Sequence, residues 1–283
     1  MSTAEHPLAY AATAPAPVQN GERIHLGRLA IDTYSREALL QNVIDHALHG
    51  DATRQIVTAN AQFYVLAEKN ARFRACLDKA EYSCADGMPV VWACKRLIGT
   101  QVPRIAGVDL IEDLCRAGAS RGLRLFLLGG VPGSAKATAA LLAERYPGVQ
   151  IAGISCPPYH FEKKIETLQP VLDWIAAAKP HILLVALGAP KQEFFIDQYV
   201  RPLRVPIAVG IGGSFEILSG GQIRAPKWMQ SAGLEWLFRL RQEPRRLWKR
   251  YLIGNAEFIM GLVKWWVADQ LPSRAANTRP VKP

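Results

Sequence analysis

The sequence predicts a parallel α/β sheet followed by a basic, wholly helical C-terminal appendage. Three observations carry this. Between Arg54 and Ile211, short apolar runs alternate with helix-period segments, and several runs are apolar on both faces, as strands between two helical layers are. After Pro226 the pattern is helical throughout. The charge changes at the same place: of a net +10 in 283 residues, the chain from Gln222 onward holds 12 Lys/Arg against 4 Asp/Glu, leaving 22 against 20 for residues 1–221.

The elements follow in order. Residues 1–21 are rich in Ala, Pro and Thr and read as a disordered leader. A helix over 35–49 opens on Ser35 as N-cap. Residues 54–58 read as a strand, 61–77 as a helix broken near Asn70, 81–84 as a short strand, and 89–98 and 108–120 as helices. A strand over 123–128 runs into Gly129-Gly130 and a helix over 134–145. A strand at 149–154 and a helix at 162–178 come next. The strand at 182–187 ends in Gly188 before a helix at 192–200, and the strand at 205–211 ends in Gly212-Gly213. The boundary to the appendage falls at Gly220-Gly221, dividing a core of residues 22–221 from an appendage of 222–272. Residues 273–283 read as a polar, disordered tail.

Composition narrows the class. An apolar share of 49% with 20% charged residues is globular. The five cysteines are odd in number and form no C-x-x-C pair, which argues against a zinc knuckle or disulfide scaffold and for a reducing compartment. No basic segment followed by an apolar one opens the chain, so no secretory signal is expected. The apolar stretch 258–268 is interrupted by Lys264 and too short to span a bilayer, which makes any membrane contact peripheral. Charge gathered in one appendage, with five of the seven tryptophans, suits a localised docking surface for anionic lipid, nucleic acid or an acidic substrate.

Three strands ending in glycine suit a ligand at the carboxyl edge of an open parallel sheet. Glycine lets backbone N–H groups approach a phosphate, and a following helix N-terminus favours its charge. Gly129-Gly130-Val131-Pro132-Gly133-Ser134 fits a nucleotide diphosphate, although it is neither G-x-G-x-x-G nor a Walker loop. Asp86, between a strand and a helix, suits a general base for a hydroxyl nucleophile, or an N-cap. Thr58 and Asn60 follow a strand and suit sugar hydroxyls or a helix cap. Pro190-Lys191-Gln192-Glu193 reads as an ordinary helix start except for Gln192, which a helix start does not require. Arg104 and Asp109 suit either a mutual ion pair or substrate. The six histidines form no metal motif, and D-x-D is absent, so the usual sign of a carboxylate-held Mg²⁺ or Mn²⁺ on a nucleotide-sugar is missing. Appendage arginines suit diphosphate oxygens or an anionic bilayer.

These pieces in this order resemble the WecG/TagA/CpsF family of bacterial glycosyltransferases. The matching stretches are Thr58-x-Asn60, Ala85-Asp86-Gly87, Arg104-x-x-Gly107-x-Asp109, Leu127-Leu128-Gly129-Gly130 and Gly188-x-Pro190-Lys191-Gln192-Glu193. Gly210-x-Gly212-Gly213, Arg224-Ala225-Pro226, Gly233-Leu234-Glu235-Trp236 and Glu243-Pro244-Arg245-Arg246 complete the set. The resemblance implies a Rossmann-like core of GT-E type and an inverting, metal-independent transfer without cofactor. The hexosyl unit (glucose, N-acetylmannosamine or its uronate) would pass from a UDP-sugar to a polyprenyl-diphosphate-linked sugar, in cell-surface or exopolysaccharide synthesis at the cytoplasmic face of the inner membrane.

By position, Asp86 is then the base. Thr58, Asn60, Arg104, Asp109, Gln192, Arg239, Arg245, Arg246 and Arg250 meet substrate. Gly129, Gly130, Gly188, Pro190, Lys191, Glu193, Gly212 and Gly213 meet the nucleotide. The expected partners are the two substrates and an anionic membrane, with self-association open and no nucleic acid. The family often carries Asp where this chain has Glu216, so Glu216 receives no role. Two rival classes fit less well. A Rossmann oxidoreductase needs a dinucleotide fingerprint the glycines do not supply, and a nucleic-acid module sits poorly with a nearly neutral body.

Overall fold

The computed structural model describes residues 21–270; the expected leader, except for Gly21, and the expected tail lie outside them. The chain starts with a hairpin that the sequence reading lacks, β1 (Arg23–Leu26) and β2 (Leu29–Asp32). Each strand has only four residues; β1 alternates for just two periods, Arg23-Ile24-His25-Leu26, and β2 is buried throughout and shows no alternation. The hairpin docks on the sheet edge, where the Ser83 N–H donates to Asp32 and the Ser83 hydroxyl to Ala30 O, both at 2.7 Å.

α1 (Arg36–His49) begins as expected: the Ser35 hydroxyl accepts from the Ala38 N–H at 3.1 Å. β3 (Arg54–Ala59) leads to α2 (Ala61–Lys69) and α3 (Ala71–Asp78), and the break between these helices falls on Asn70, which caps α3. β4 (Tyr82–Ala85), α4 (Met88–Ala93) with a π-helical turn over Cys94–Ile98, and α5 (Gly107–Gly118) follow. β5 (Arg124–Gly129), α6 (Ser134–Arg145), β6 (Gln150–Ser155) and α7 (Ile165–Ala178) come next, a 3-10 turn at Phe161–Lys163 replacing the expected early start of the last helix. β7 (Ile182–Ala186), α8 (Lys191–Phe195) with a second π-helical turn, α9 (Arg201–Leu203), β8 (Ile207–Gly210) and α10 (Ser214–Leu218) close the core. The C-terminal helices are α11 (Lys227–Ser231), α12 (Glu235–Gln242), α13 (Pro244–Trp248), a π-helical turn at Lys249–Ile253, and α14 (Gly254–Gln270).

Six strands form one parallel sheet in the order β4-β3-β8-β7-β5-β6. Both faces are covered, which is why the two middle strands, β7 and β8, carry no polar side chain. Leu125, Leu127, Leu184 and Val209 pack with Leu39, Leu114 and Leu142 on one face. Phe126, Leu128, Leu183 and Val185 pack with Leu168, Ile175 and Phe195 on the other. A third cluster joins the hairpin, α2, α3 and α4 to Phe258 and Leu262 of α14. Because every strand of the sheet points the same way, Asn60, Asp86, Gly129, Gly188 and Gly212 all emerge at one edge. The C-terminal helices reach that edge.

Candidate active site

The carboxyl edge carries a trench floored by the glycine turns. Gly129 and Gly130 have φ of 90° and 79°, a region open to glycine. A Cβ on Gly129 would lie 2.7 Å from Ala186 O, so the turn between β5 and α6 also needs the space. Gln192 joins the other two turns: its Oε1 accepts from the Gly188 N–H at 3.1 Å and the Gly212 N–H at 3.0 Å. Its Nε2 donates to Glu193 Oε1 at 2.7 Å. This staple explains why glutamine stands at a helix start that does not call for it. Thr58 donates to Gly210 O at 3.2 Å, and Ser214 and Arg246 also line the trench. Towards β6 the trench continues past Lys191, Cys156 and Glu216.

A second cleft, under the C-terminal helices, meets the trench at Asp86. Both are lined by Asn60, Gln62, Asp86, Glu235, Arg239 and Arg250. Trp236 and Tyr251 wall the second cleft. Asp86 follows β4 directly, its N–H donating to Ala59 O at 2.7 Å. The cap alternative for its side chain is corrected: Gly87 is the N-cap of α4, and no side-chain cap bond forms there. Asn60, in contrast, does cap α2, accepting from the Gln62 and Phe63 N–H groups at 3.0 and 3.4 Å, while lining both clefts. Burial pushes the Asp86 carboxyl up from 3.8 to about 6, with Glu235 adding to the rise and Arg104, Arg239 and Arg250 opposing it. A carboxylate poised near neutrality beside a trench of N–H donors and arginines fits proton abstraction coupled to loss of an anionic leaving group. Among the described residues, no group of three His, Cys, Asp or Glu side chains is placed to hold a metal ion.

Residues 24–271 match the family model described as "Glycosyl transferase WecG/TagA/CpsF family". The chain belongs to this glycosyltransferase family. It is also 38% identical, over 218 residues covering 77% of this chain and 81% of the relative, to an N-acetylglucosaminyldiphosphoundecaprenol N-acetyl-beta-D-mannosaminyltransferase of Bacillus spizizenii. The Rossmann-like parallel core expected from the resemblance is the fold observed.

Not every residue expected at the glycosyltransferase site lines it. Asp109 is held by Arg224 through two hydrogen bonds of 2.7 and 2.8 Å and lies 3.9 Å from Arg104, so it is an anchor for the C-terminal helices and not a free substrate ligand. Burial would raise its carboxyl, but Arg224, Arg104 and Arg36 outweigh it and hold the group below the ordinary value. Glu193 is 1% exposed and stands behind Gln192, where it does not meet a nucleotide; burial pushes its carboxyl up to about 7. Arg245 is exposed on α13, away from both clefts, whereas Arg246 faces the trench. Pro190 shapes the start of α8 after a cis Ala189–Pro190 bond, and Lys191 sits 3.7 Å from the centre of the Tyr159 ring at the trench mouth.

Other residues to which the sequence gives no role belong to the site. Glu216 accepts from the Val131 N–H at 2.9 Å and so ties the Gly129-Gly130 turn to α10. The longer side chain of Glu reaches across in a place where sequence comparison gave it no role. Glu235 and Arg224 stood in quoted motifs, but only the fold shows that they meet Arg104 and Asp109, 131 and 115 residues away.

Proposed function

We infer that this glycosyltransferase moves a hexosyl residue from a UDP-sugar to a sugar carried on a polyprenyl diphosphate, with inversion and without a metal. The observation that carries the reading is the position of Asp86, at the meeting point of the trench and the arginine-lined cleft. The donor diphosphate lies along the glycine turns, and the acceptor enters beneath α12. Asp86 takes the proton of the acceptor hydroxyl, whose oxygen electron pair forms the new bond to the anomeric carbon. The carbon–oxygen bond to UDP breaks on the opposite face, and its electron pair leaves on the diphosphate. Arg239, Arg246 and Arg250 offset that charge where a metal ion would otherwise do so.

The Bacillus relative, by its name, transfers an N-acetylmannosaminyl unit to an N-acetylglucosaminyl-diphosphoundecaprenol. This favours N-acetylmannosamine over its uronate or glucose as the donor sugar here. Residues 222–272 act as a docking appendage that brings the site to an anionic bilayer. No helix among the described residues is long and apolar enough to cross a membrane, which agrees with peripheral attachment.

The test is transfer from the three UDP-sugars to a short-chain polyprenyl-diphosphate N-acetylglucosamine by the full chain. Asp86→Asn is expected to lower kcat by about 10²- to 10⁴-fold, the usual worth of a general base, with UDP affinity unchanged. Full activity in that variant overturns the assignment of the base. Transfer is expected to persist in EDTA; an absolute requirement for Mg²⁺ overturns the metal-free reading.

A further inference from the structure

Arg104 is fixed beside the reacting carboxylate by its backbone. Ala85 and Arg104 form a parallel bridge, and the Ile105 N–H donates to Ala85 O at 2.9 Å. The guanidinium therefore starts from a position one residue across from Asp86. Left alone, it would have two carboxylates to choose from, Asp86 and Asp109. Instead its closest contact is to the C-terminal helices: Nη2 donates to Glu235 Oε2 at 2.6 Å, while Nη1 approaches Gln230 Oε1 at 3.5 Å and stays 3.9 Å from Asp109 Oδ2. Asp109 is taken up by Arg224. Glu235 lines both clefts and faces Asp86 with its own negative charge.

We propose that Glu235 is a positioning residue, which draws the Arg104 guanidinium to the α12 side of the cleft and leaves the Asp86 carboxylate free to receive the acceptor's proton. The proposal rests on Asp86 being the base. A carboxylate clamped by a guanidinium is a weak proton acceptor, since the pair stabilises its charged form. Glu235 thus gives α12 a part in the chemistry besides carrying Arg239: it sets how basic the core carboxylate is. The charged and titratable groups around Asp86 are Cys84 on β4, Arg104 before α5, Glu235 and Arg239 on α12, and Arg250 on the π-helical turn. Among those acting on the Asp86 carboxyl, Glu235 is the negative one, so its removal and that of Arg104 push Asp86 in opposite directions.

The experiment compares Glu235→Gln, Arg104→Gln and the double variant in the full chain. Glutamine keeps an acceptor for Arg104 and so a hold on α12, but removes the charge. The readouts are the acidic limb of the pH profile of kcat/KM and a ¹³C-detected carboxyl titration of Asp86, which needs no turnover. Glu235→Gln is expected to move both down by about one pH unit, the effect of losing a like charge and of holding Arg104 more weakly, through a neutral acceptor. Arg104→Gln moves them up, and the double variant returns them close to the wild-type value. Positioning makes the two effects depend on each other, so Glu235→Gln moves the titration less in the Arg104→Gln background than in wild type; an equal shift in both backgrounds is a plain charge effect and overturns the proposal. An unmoved Asp86 titration in Glu235→Gln overturns it as well. If Asp86→Asn retains full activity the base reading falls, while the titration still shows whether Glu235 governs this carboxyl.

Discussion

Asp86 works at the level of one side chain because its surroundings disfavour its charge without pairing it. With the carboxyl at about 6, kcat/KM is expected to rise with pH through that value and level off above pH 7, measured under saturating acceptor. The same shift sets a stability cost. The folded value stands above the ordinary 3.8, so the group favours the fold when both states are protonated, and that advantage is lost as pH rises through 6. Asp86→Asn should therefore stabilise the protein by about 1 kcal/mol at pH 8, after allowing for the screening of a partly exposed group, and by nothing below the ordinary value. Thermal melts at pH 8 and pH 3 check the sign. Gln192 works differently, through two accepted N–H bonds that hold the turns after β7 and β8 together. Gln192→Ala releases both, and UDP affinity by calorimetry should fall about tenfold, the worth of one to two net hydrogen bonds. An unchanged Kd would show that the turns keep their shape without the staple.

At the scale of elements, the site depends on how the C-terminal helices are fastened. Arg224 grips Asp109, Arg104 grips Glu235 at 2.6 Å, and Gln222 donates to Glu243 at 2.9 Å. Further along, Lys69 meets Glu257, and the Tyr64 and Phe258 rings cross edge to face at 5.3 Å. Arg224→Ala strands a partly buried carboxylate and should weaken docking by about 2 kcal/mol. Limited proteolysis of the segment before α11 should then quicken about thirtyfold at neutral pH, where opening precedes cleavage. Because Asp109 is held below its ordinary value, this latch contributes above the ordinary carboxylate range and is lost only as pH falls through the lower, folded value. These contacts mark what a sequence conceals. The strands and helices of the core were legible because their apolar periods are local, as was the cap at Ser35. The hairpin of β1 and β2 offers only the four-residue alternation of β1 beside a β2 buried on both faces, too little to stand out. The Arg104–Asp109 pair that local spacing suggested is present at 3.9 Å, but the closer partner of each, Glu235 and Arg224, is set by a fold that brings residues more than 100 positions apart together.

For the whole molecule, the question is what the uneven charge does. Phe258, Leu262 and Trp265 of α14 pack toward the core, while Ile259, Val263, Trp266 and Val267 are exposed roughly a third of a turn away or more. Trp248, Leu252 and Ile253 extend the exposed row into the preceding turns, with Arg245, Lys249 and Lys264 nearby in sequence. A helix apolar on two sides buries one against the protein and needs a second apolar phase for the other, and flanking cations suit anionic headgroups. Flotation with vesicles should therefore show two separable contributions. Raising salt from 0.1 to 1 M shortens the screening length from about 10 to about 3 Å and should remove the preference for anionic over neutral vesicles. Replacing Val263 and Trp266 together by serine should lower binding to both kinds about thirtyfold, from the loss of about 2 kcal/mol of buried apolar surface. Neither residue lines the clefts, so transfer to a soluble short-chain acceptor should be kept. Undiminished flotation of that variant would mean that α14 does not face the bilayer. Equal binding to neutral and anionic vesicles at low salt would leave the concentration of charge in the C-terminal helices to the diphosphate alone.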